Sequence, residues 1–214
     1  MCDKVIIFAN GICENPGGSL KYIAPGDFII CADGGTEYAL QLGLTPDLVI
    51  GDLDSISPQA LQTVQDKGVE IRRYPQAKDK TDLELGLEEA TRRAATEILV
   101  LTAFGGRVDQ FLANIFLLVR YREKSIRLSI ADGNQRMWLL QGPDEMMLTG
   151  DVGDLFSLIP MSDQVSGVDL SGMEWPLQNA VLELGSTRAV SNKFKLRRVN
   201  VKIKSGTALA IHGF

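Results

Sequence analysis

Four short segments hold most of the residues able to do chemistry: Ala32-Asp33-Gly34-Gly35, Gly51-Asp52-Leu53-Asp54-Ser55, Lys78-Asp79-Lys80-Thr81-Asp82 and Gly105-Gly106-Arg107-Val108-Asp109-Gln110. Carboxylate oxygens are hard donors, and Mg²⁺ is usually held by one or two of them together with substrate phosphates and water. If Asp52-Leu53-Asp54 is extended, alternation puts both carboxylates on one side, about 6.6 Å apart along the backbone. Glycines at 105 and 106 let backbone N–H groups approach a phosphate ahead of a helix, and Arg107 offers a forked donor to phosphate oxygens. Each segment also has a plainer reading. An Asp-rich stretch can be a solvated turn, Asp82 suits a first helical turn through the macrodipole alone, and Gly-Gly can be only a turn. Neither a P-loop nor a dinucleotide fingerprint is present.

Composition narrows the chemistry further. The one histidine of the 214 residues, His212, argues against a Ser-His-Asp or Cys-His nucleophile and excludes multi-His zinc sites. Three cysteines, Cys2, Cys13 and Cys31, show no CxxC spacing, which suits a reducing compartment and rules out a disulfide framework. What is left is carboxylates, basic residues and a metal bound through oxygen. Lys+Arg 22 against Asp+Glu 27 gives a net charge of −5, so neither nucleic acid nor an anionic membrane surface is expected as a partner. Val5–Ala9 is too short and Asp3 too acidic for a secretory signal, and no run approaches the roughly 20 apolar residues of a membrane span. The expected setting is cytoplasmic and the expected partner small.

The elements that position these segments follow from hydrophobic pattern. Lys4–Phe8, Asp27–Cys31, Asp47–Ile50, Val69–Ile71 and Glu97–Leu101 are short apolar runs bounded by Gly, Pro and Asp, as expected for parallel strands buried on both faces. Between them the spacing predicts helices near Thr36–Leu42, Pro58–Lys67, Thr81–Ala95 and Asp109–Arg122. The third is best marked, with Leu83, Leu87, Ala90 and Ala94 at helical spacing and a Thr81/Glu84 capping box. From about Ile126 the helical period disappears. Ile126–Ile130, Arg136–Leu140, Glu145–Leu148, Leu155–Ile159, Gln164–Val168, Ala180–Leu184, Val199–Ile203 and Ala208–Ile211 read as strands of an antiparallel sandwich or barrel. The fold class is therefore α/β, a doubly wound, mostly parallel sheet domain (residues 1–132) followed by an all-β sandwich domain (133–214). In doubly wound sheets ligands bind beyond the carboxyl ends of the strands, where the acidic segments fall.

In order and spacing, ADGG, PDLVIGDLDSI, KDKTD and GGRVDQ with FLANIFLL resemble the catalytic domain of the thiamine pyrophosphokinases. GMEW and SNKF resemble that family's C-terminal domain. The resemblance implies transfer of a pyrophosphoryl group from ATP to the hydroxyl of thiamine, giving AMP and thiamine diphosphate, in a homodimer whose sites are shared between subunits. It implies that Asp52, Asp54 and Asp82 hold Mg²⁺ and the ATP phosphates, with Asp33 in the same acidic cluster. Lys80, Thr81, Gly105, Gly106, Arg107, Asp109 and Gln110 would be on the ATP side, and Trp175, Ser191 and Asn192 would line the thiamine pocket, with Trp175 as a sandwich-core residue the alternative. The family commonly has His where this chain has Gln110, which can hydrogen-bond but carries no charge. It commonly has a hydroxyl-rich segment where Arg188-Ala189-Val190 stands; Arg188 is either a phosphate contact or a solvated charge. Rival readings are a pyrophosphokinase acting on another hydroxymethyl heterocycle, such as a pterin, and a nucleotide- or thiamine-sensing module without turnover.

Overall fold

The computed structural model describes residues 4–13, 15–121 and 126–214. Cys2, Asp3 and the Arg122 end of the fourth expected helix lie outside the described residues. The chain divides into two compact units, the first ending at Gly133 and the second running from Asn134 to Phe214.

In the first unit, β1 (Lys4–Phe8), β2 (Phe28–Ala32), β3 (Leu48–Gly51), β4 (Glu70–Arg73), β5 (Glu97–Leu101) and β6 (Arg127–Ala131) form a parallel sheet in the order β4-β3-β2-β1-β5-β6. The interior strands are near-continuous apolar runs because helices cover both faces; Val5 to Phe8, Ile98, Leu99 and Leu101 are all fully buried. Four α-helices follow strand ends: α1 (Gly35–Gln41), α2 (Pro58–Asp66), α3 (Asp82–Arg92) and α4 (Val108–Tyr121). Ser57 caps α2 with Pro58 at its first position. Thr81 caps α3 by accepting the Glu84 N–H at 3.2 Å, which is the N-cap half of the expected capping box; Glu84 Oε1 accepts no hydrogen bond. Leu83, Leu87 and Ala90 of α3 are buried, and at Gly86 even a Cβ would come within 3.4 Å of Ile7.

One strand pairs in a different direction than its pattern suggested. Residues 126–130 read as the opening strand of the antiparallel part, but β6 pairs parallel to β5, with Glu97 opposite Arg127. A short buried apolar run specifies burial on two faces and leaves strand direction open. Pro16–Tyr22 also forms a 3-10 helix that no apolar period announces.

The second unit is antiparallel throughout. Its strands are β7 (Gln135–Gln141), β8 (Asp144–Thr149), β9 (Leu155–Pro160), β10 (Gln164–Ser171), β11 (Leu177–Glu183), β12 (Asn192–Lys193), β13 (Arg198–Ile203) and β14 (Thr207–Gly213). One sheet runs β7-β14-β9-β12 and the other β8-β13-β10-β11. Leu140, Phe156 and Leu158 of the first meet Val165, Leu170 and Val201 of the second in a single core, which makes the unit a sandwich. Two-residue β12 is too short to carry a sequence period. His212 is buried, stacks on Phe194 with ring centroids 4.6 Å apart and pairs with Asp154 at 2.8 Å. It is a packed and satisfied side chain of the sandwich.

Charge also ties β4 to α3. The buried Glu89 carboxylate meets Arg72 at 2.6 Å and Arg92 and Arg93 at 2.7 Å. Burial works to raise its pKa, but the three guanidinium groups outweigh burial and hold it below the usual carboxylate range. A depressed folded pKa stabilises above the unfolded value of about 4.3, and that stabilisation is lost as pH falls through the folded value. Glu89→Gln should therefore destabilise the protein by about 1–3 kcal/mol at pH 7, and the gap to wild type should close between pH 5 and the acid limit. Thermal melts across that range check this; a gap independent of pH would mean that the charge on Glu89 contributes nothing.

Candidate active site

The chain reverses tightly as it leaves β2 and β3, and these reversals bring the acids together. Asp33 follows β2 in the left-handed region (φ 48°), with its N–H donating to the Ile50 carbonyl at 2.9 Å. A non-glycine residue held there is strained, and such strain clusters at functional sites. Gly51 ends β3 at φ 151°; a Cβ on it would lie 3.0 Å from Asp33 Cβ and 3.1 Å from Asp82 Oδ1. The missing side chain lets three separate segments converge. Asp33, Asp52 and Asp82 each contribute one carboxylate oxygen to a set whose members all lie within 4.8 Å of one another.

Asp54 is not in that set, which corrects the expectation of an extended Asp52–Asp54 pair. Leu53 adopts φ 69°, and one left-handed residue destroys strand alternation. The Asp54 carboxylate is exposed, accepting from the Ser55 hydroxyl at 3.0 Å and the Gln76 amide at 2.9 Å. Its backbone N–H turns inward and donates to Asp52 Oδ1 at 3.2 Å. Asp54 still lines the same cavity, at the edge of the triad.

The electrostatics are those of crowded carboxylates. Burial, with repulsion from Asp52, pushes the Asp33 and Asp82 pKa values up, against hydrogen bonds from Ser55 and from Lys78 respectively. Asp52 is also penalised by burial, but the Asp54 N–H and the Lys78 ammonium outweigh that and hold it below the usual range. Asp33 Oδ1 is buried and accepts no hydrogen bond, an acceptor arrangement that is costly without a cationic partner. Lys78 lies between the acids. Its Nζ is 3.1 Å from Asp82 and 3.4 Å from Asp52. Burial disfavours its charge, yet the two carboxylates raise its pKa.

The triad lies in a cavity of about 610 Å³, walled also by Asn10, Lys80, Gly105, Gly106, Arg107 and Gln110. Gly105 and Gly106 adopt φ 66° and 70° directly ahead of α4, so left-handed backbone precedes a helix N-terminus, where N–H groups can receive an anion. Arg107 and Asp109 pair with each other at 2.6 Å on the exposed rim. Each holds the other charged, raising the Arg107 pKa and lowering that of Asp109. Asp109 is not among the cavity-lining residues. Lys80 pairs outward with Glu88 at 2.7 Å, and the Thr81 hydroxyl is occupied in capping α3. Gly34 and Gly35 serve packing, because a Cβ on them would meet Asn10 at 2.5 Å and the Phe8 carbonyl at 2.1 Å.

In the second unit Trp175 is 54% exposed, so it is no core residue. Asn192 is buried and clamps it: the Trp175 N–H donates to Asn192 Oδ1 at 3.1 Å, and Asn192 Nδ2 donates to the Trp175 carbonyl at 2.7 Å. The Lys193 N–H takes a second lone pair of the same oxygen at 2.8 Å. Asn192, expected as a ligand contact, spends its amide on holding the backbone of its neighbour. Ser191 is exposed at φ 60°, with its N–H on Ser157 Oγ at 3.0 Å. Arg188 is exposed. The signals for Lys78 and Asn192 were present as residue types, but their roles depend on contacts distant in the chain.

An acidic cleft of this size at the carboxyl end of a parallel sheet, with glycines before a helix and an arginine at the rim, is the apparatus of a metal-assisted phosphoryl-type transferase. The family described as thiamin pyrophosphokinase, catalytic domain, matches residues 20–130, and thiamin pyrophosphokinase, vitamin B1 binding domain, matches residues 146–208. The chain belongs to the thiamin pyrophosphokinase family. It is 31% identical over 183 residues to thiamine pyrophosphokinase of Bacillus subtilis (strain 168), covering 85% of each chain. To thiamine pyrophosphokinase 1 of Oryza sativa subsp. japonica it is 28% identical over 76% of this chain and 70% of that one. The crystal structure of thiamine pyrophosphokinase from Bacillus subtilis matches with a TM-score of 0.89 at 28% identity, over 98% of both chains.

Proposed function

We propose that this chain carries out its family's reaction, ATP + thiamine → AMP + thiamine diphosphate, with Asp33, Asp52 and Asp82 holding Mg²⁺. The observation that carries the metal assignment is the convergence of three carboxylates within 4.8 Å, one of them with a buried oxygen that accepts no hydrogen bond. An all-oxygen, charge-dense donor set fits a hard divalent cation. Such an ion, when bound, supplies charge neutralisation on the transferred phosphates. The thiamine hydroxyl forms a bond to the β-phosphorus as the bond from that phosphorus to the oxygen kept by AMP breaks, and the hydroxyl proton is released.

Little else is needed from the protein beyond position and charge. Gly105, Gly106 and the start of α4 present N–H groups to phosphate oxygens, Arg107 contributes a guanidinium, and Gln110 donates without adding charge. Asp54 steadies Asp52 through its N–H. The exposed indole face of Trp175 attracts the thiazolium cation, Asn192 fixes its position, and the exposed Ser191 hydroxyl is a further contact of the thiamine pocket. Resemblance to the family supports a homodimer in which the first unit of one subunit works with the second unit of its partner. Among the described residues no helix is long and apolar enough to cross a membrane, and resemblance to the family supports a cytoplasmic setting.

Hybrid dimers test this arrangement. Mixing Asp52→Asn with Trp175→Ala, each inactive at low thiamine, should restore about a quarter of wild-type activity, since random exchange leaves one intact site in half of the dimers. Subunit exchange is verified with mass-labelled chains. Exchange without recovery would confine each site to one chain.

A further inference from the structure

Three carboxylates packed within 4.8 Å repel one another unless a cation is among them. In this structure that cation is Lys78. Its Nζ spans Asp82 Oδ1 at 3.1 Å and Asp52 Oδ2 at 3.4 Å, and its side chain is only 14% exposed, so the pair is shielded in a way that surface ion pairs are not. Lys78 belongs to the loop leading into α3, four residues before Asp82, and it faces the cavity. The other basic groups of the cavity are committed to partners outside the triad, Lys80 to Glu88 and Arg107 to Asp109.

We propose that Lys78 is the resident counter-cation of the triad, competing with the divalent ion for Asp52 and Asp82 and passing to the ATP phosphates when that ion enters. The proposal rests on the reading that the triad is the metal site. An ammonium is a point charge on a flexible four-carbon stem, so it can change partners without backbone movement. Its single charge makes it a weaker counter-ion than a divalent cation, yet enough to oppose one arriving alone. An ion arriving with ATP meets less opposition, because the phosphates offer Lys78 a new partner. Metal and nucleotide binding are then coupled through one side chain, and the coupling is reciprocal.

The test is Mn²⁺ binding to nucleotide-free protein, read by electron paramagnetic resonance, in wild type, Lys78→Met, Lys78→Arg and Asp33→Asn. Removing the competing charge should tighten Mn²⁺ binding about 5- to 10-fold in Lys78→Met, while Lys78→Arg stays near wild type. A non-hydrolysable ATP analogue should enhance Mn²⁺ affinity more in wild type than in Lys78→Met. Lys78→Gln is the substitute should the methionine variant not fold, and near-UV circular dichroism establishes folding. If Asp33→Asn weakens Mn²⁺ binding but Lys78→Met binds no tighter than wild type, the counter-cation role is wrong and the triad stands. If Asp33→Asn binds Mn²⁺ as wild type does, the triad is not the metal site and both readings fall.

Discussion

Asp52→Asn is expected to lower kcat by about 10²- to 10³-fold, with the fold intact and far less effect from Asp54→Asn. Asp52 touches every part of the acidic centre: it shares the triad with Asp33 and Asp82, faces Lys78, and accepts the Asp54 N–H. Asparagine keeps the size and the acceptor for that N–H but removes one negative charge from the ion's surroundings. Preorganised charge at a phosphate-transfer centre acts where water is scarce, and loss of one such group costs about 3–4 kcal/mol of transition-state stabilisation. Asp54, exposed and bonded to Ser55 and Gln76, acts on the site chiefly through its backbone, which Asp54→Asn retains. Rates at saturating Mg²⁺, with AMP and thiamine diphosphate both quantified, measure the contrast. A larger loss from Asp54→Asn than from Asp52→Asn would place the metal on the rim.

The second large effect is on folding. Gly35→Ala should destabilise the first unit by about 4 kcal/mol or more, a large share of the 5–15 kcal/mol typical of a domain. A Cβ at residue 35 would lie 2.1 Å from the Phe8 carbonyl oxygen. Phe8 is the last residue of β1 and pairs with both Cys31 and Leu101, so the strand cannot withdraw. α1 would have to lift off, taking with it the turn that holds Asp33. Gly17→Ala is the control: its nearest contact is 3.6 Å, to a side-chain oxygen of Asn15, and it should be close to neutral. Urea titrations of both variants decide; Gly35→Ala within about 1 kcal/mol of wild type would mean the α1–β1 approach can relax.

Both expectations depend on features that differ in how far the sequence reveals them. The alternation of apolar runs with helical periods, the Thr81 cap and the shift to short strands after residue 126 are local. Each depends on burial or backbone preference within a few residues, which composition and spacing record directly. The order of ADGG, GDLD, KDKTD and GGRVD along the chain was legible for the same reason, and with it the family. Periodicity does not encode long-range partners. Nothing in Leu128–Ala131 states that it joins β5 in parallel, and two-residue β12 has no period to read.

Residue types and their spacing are sufficient to specify the set of chemical groups and the α/β-then-β architecture. Which acids act together depends on how distant segments meet in the folded chain. Leu53 in the left-handed region turns the Asp54 carboxylate out, Gly51 lets Asp33 and Asp82 close on Asp52, Lys78 enters their midst, and Asn192 becomes a clamp for Trp175. These outcomes depend on segments 17 to 49 residues apart being pressed together by a shared core, and a charge acts on whatever the folded chain brings within a few ångströms of it.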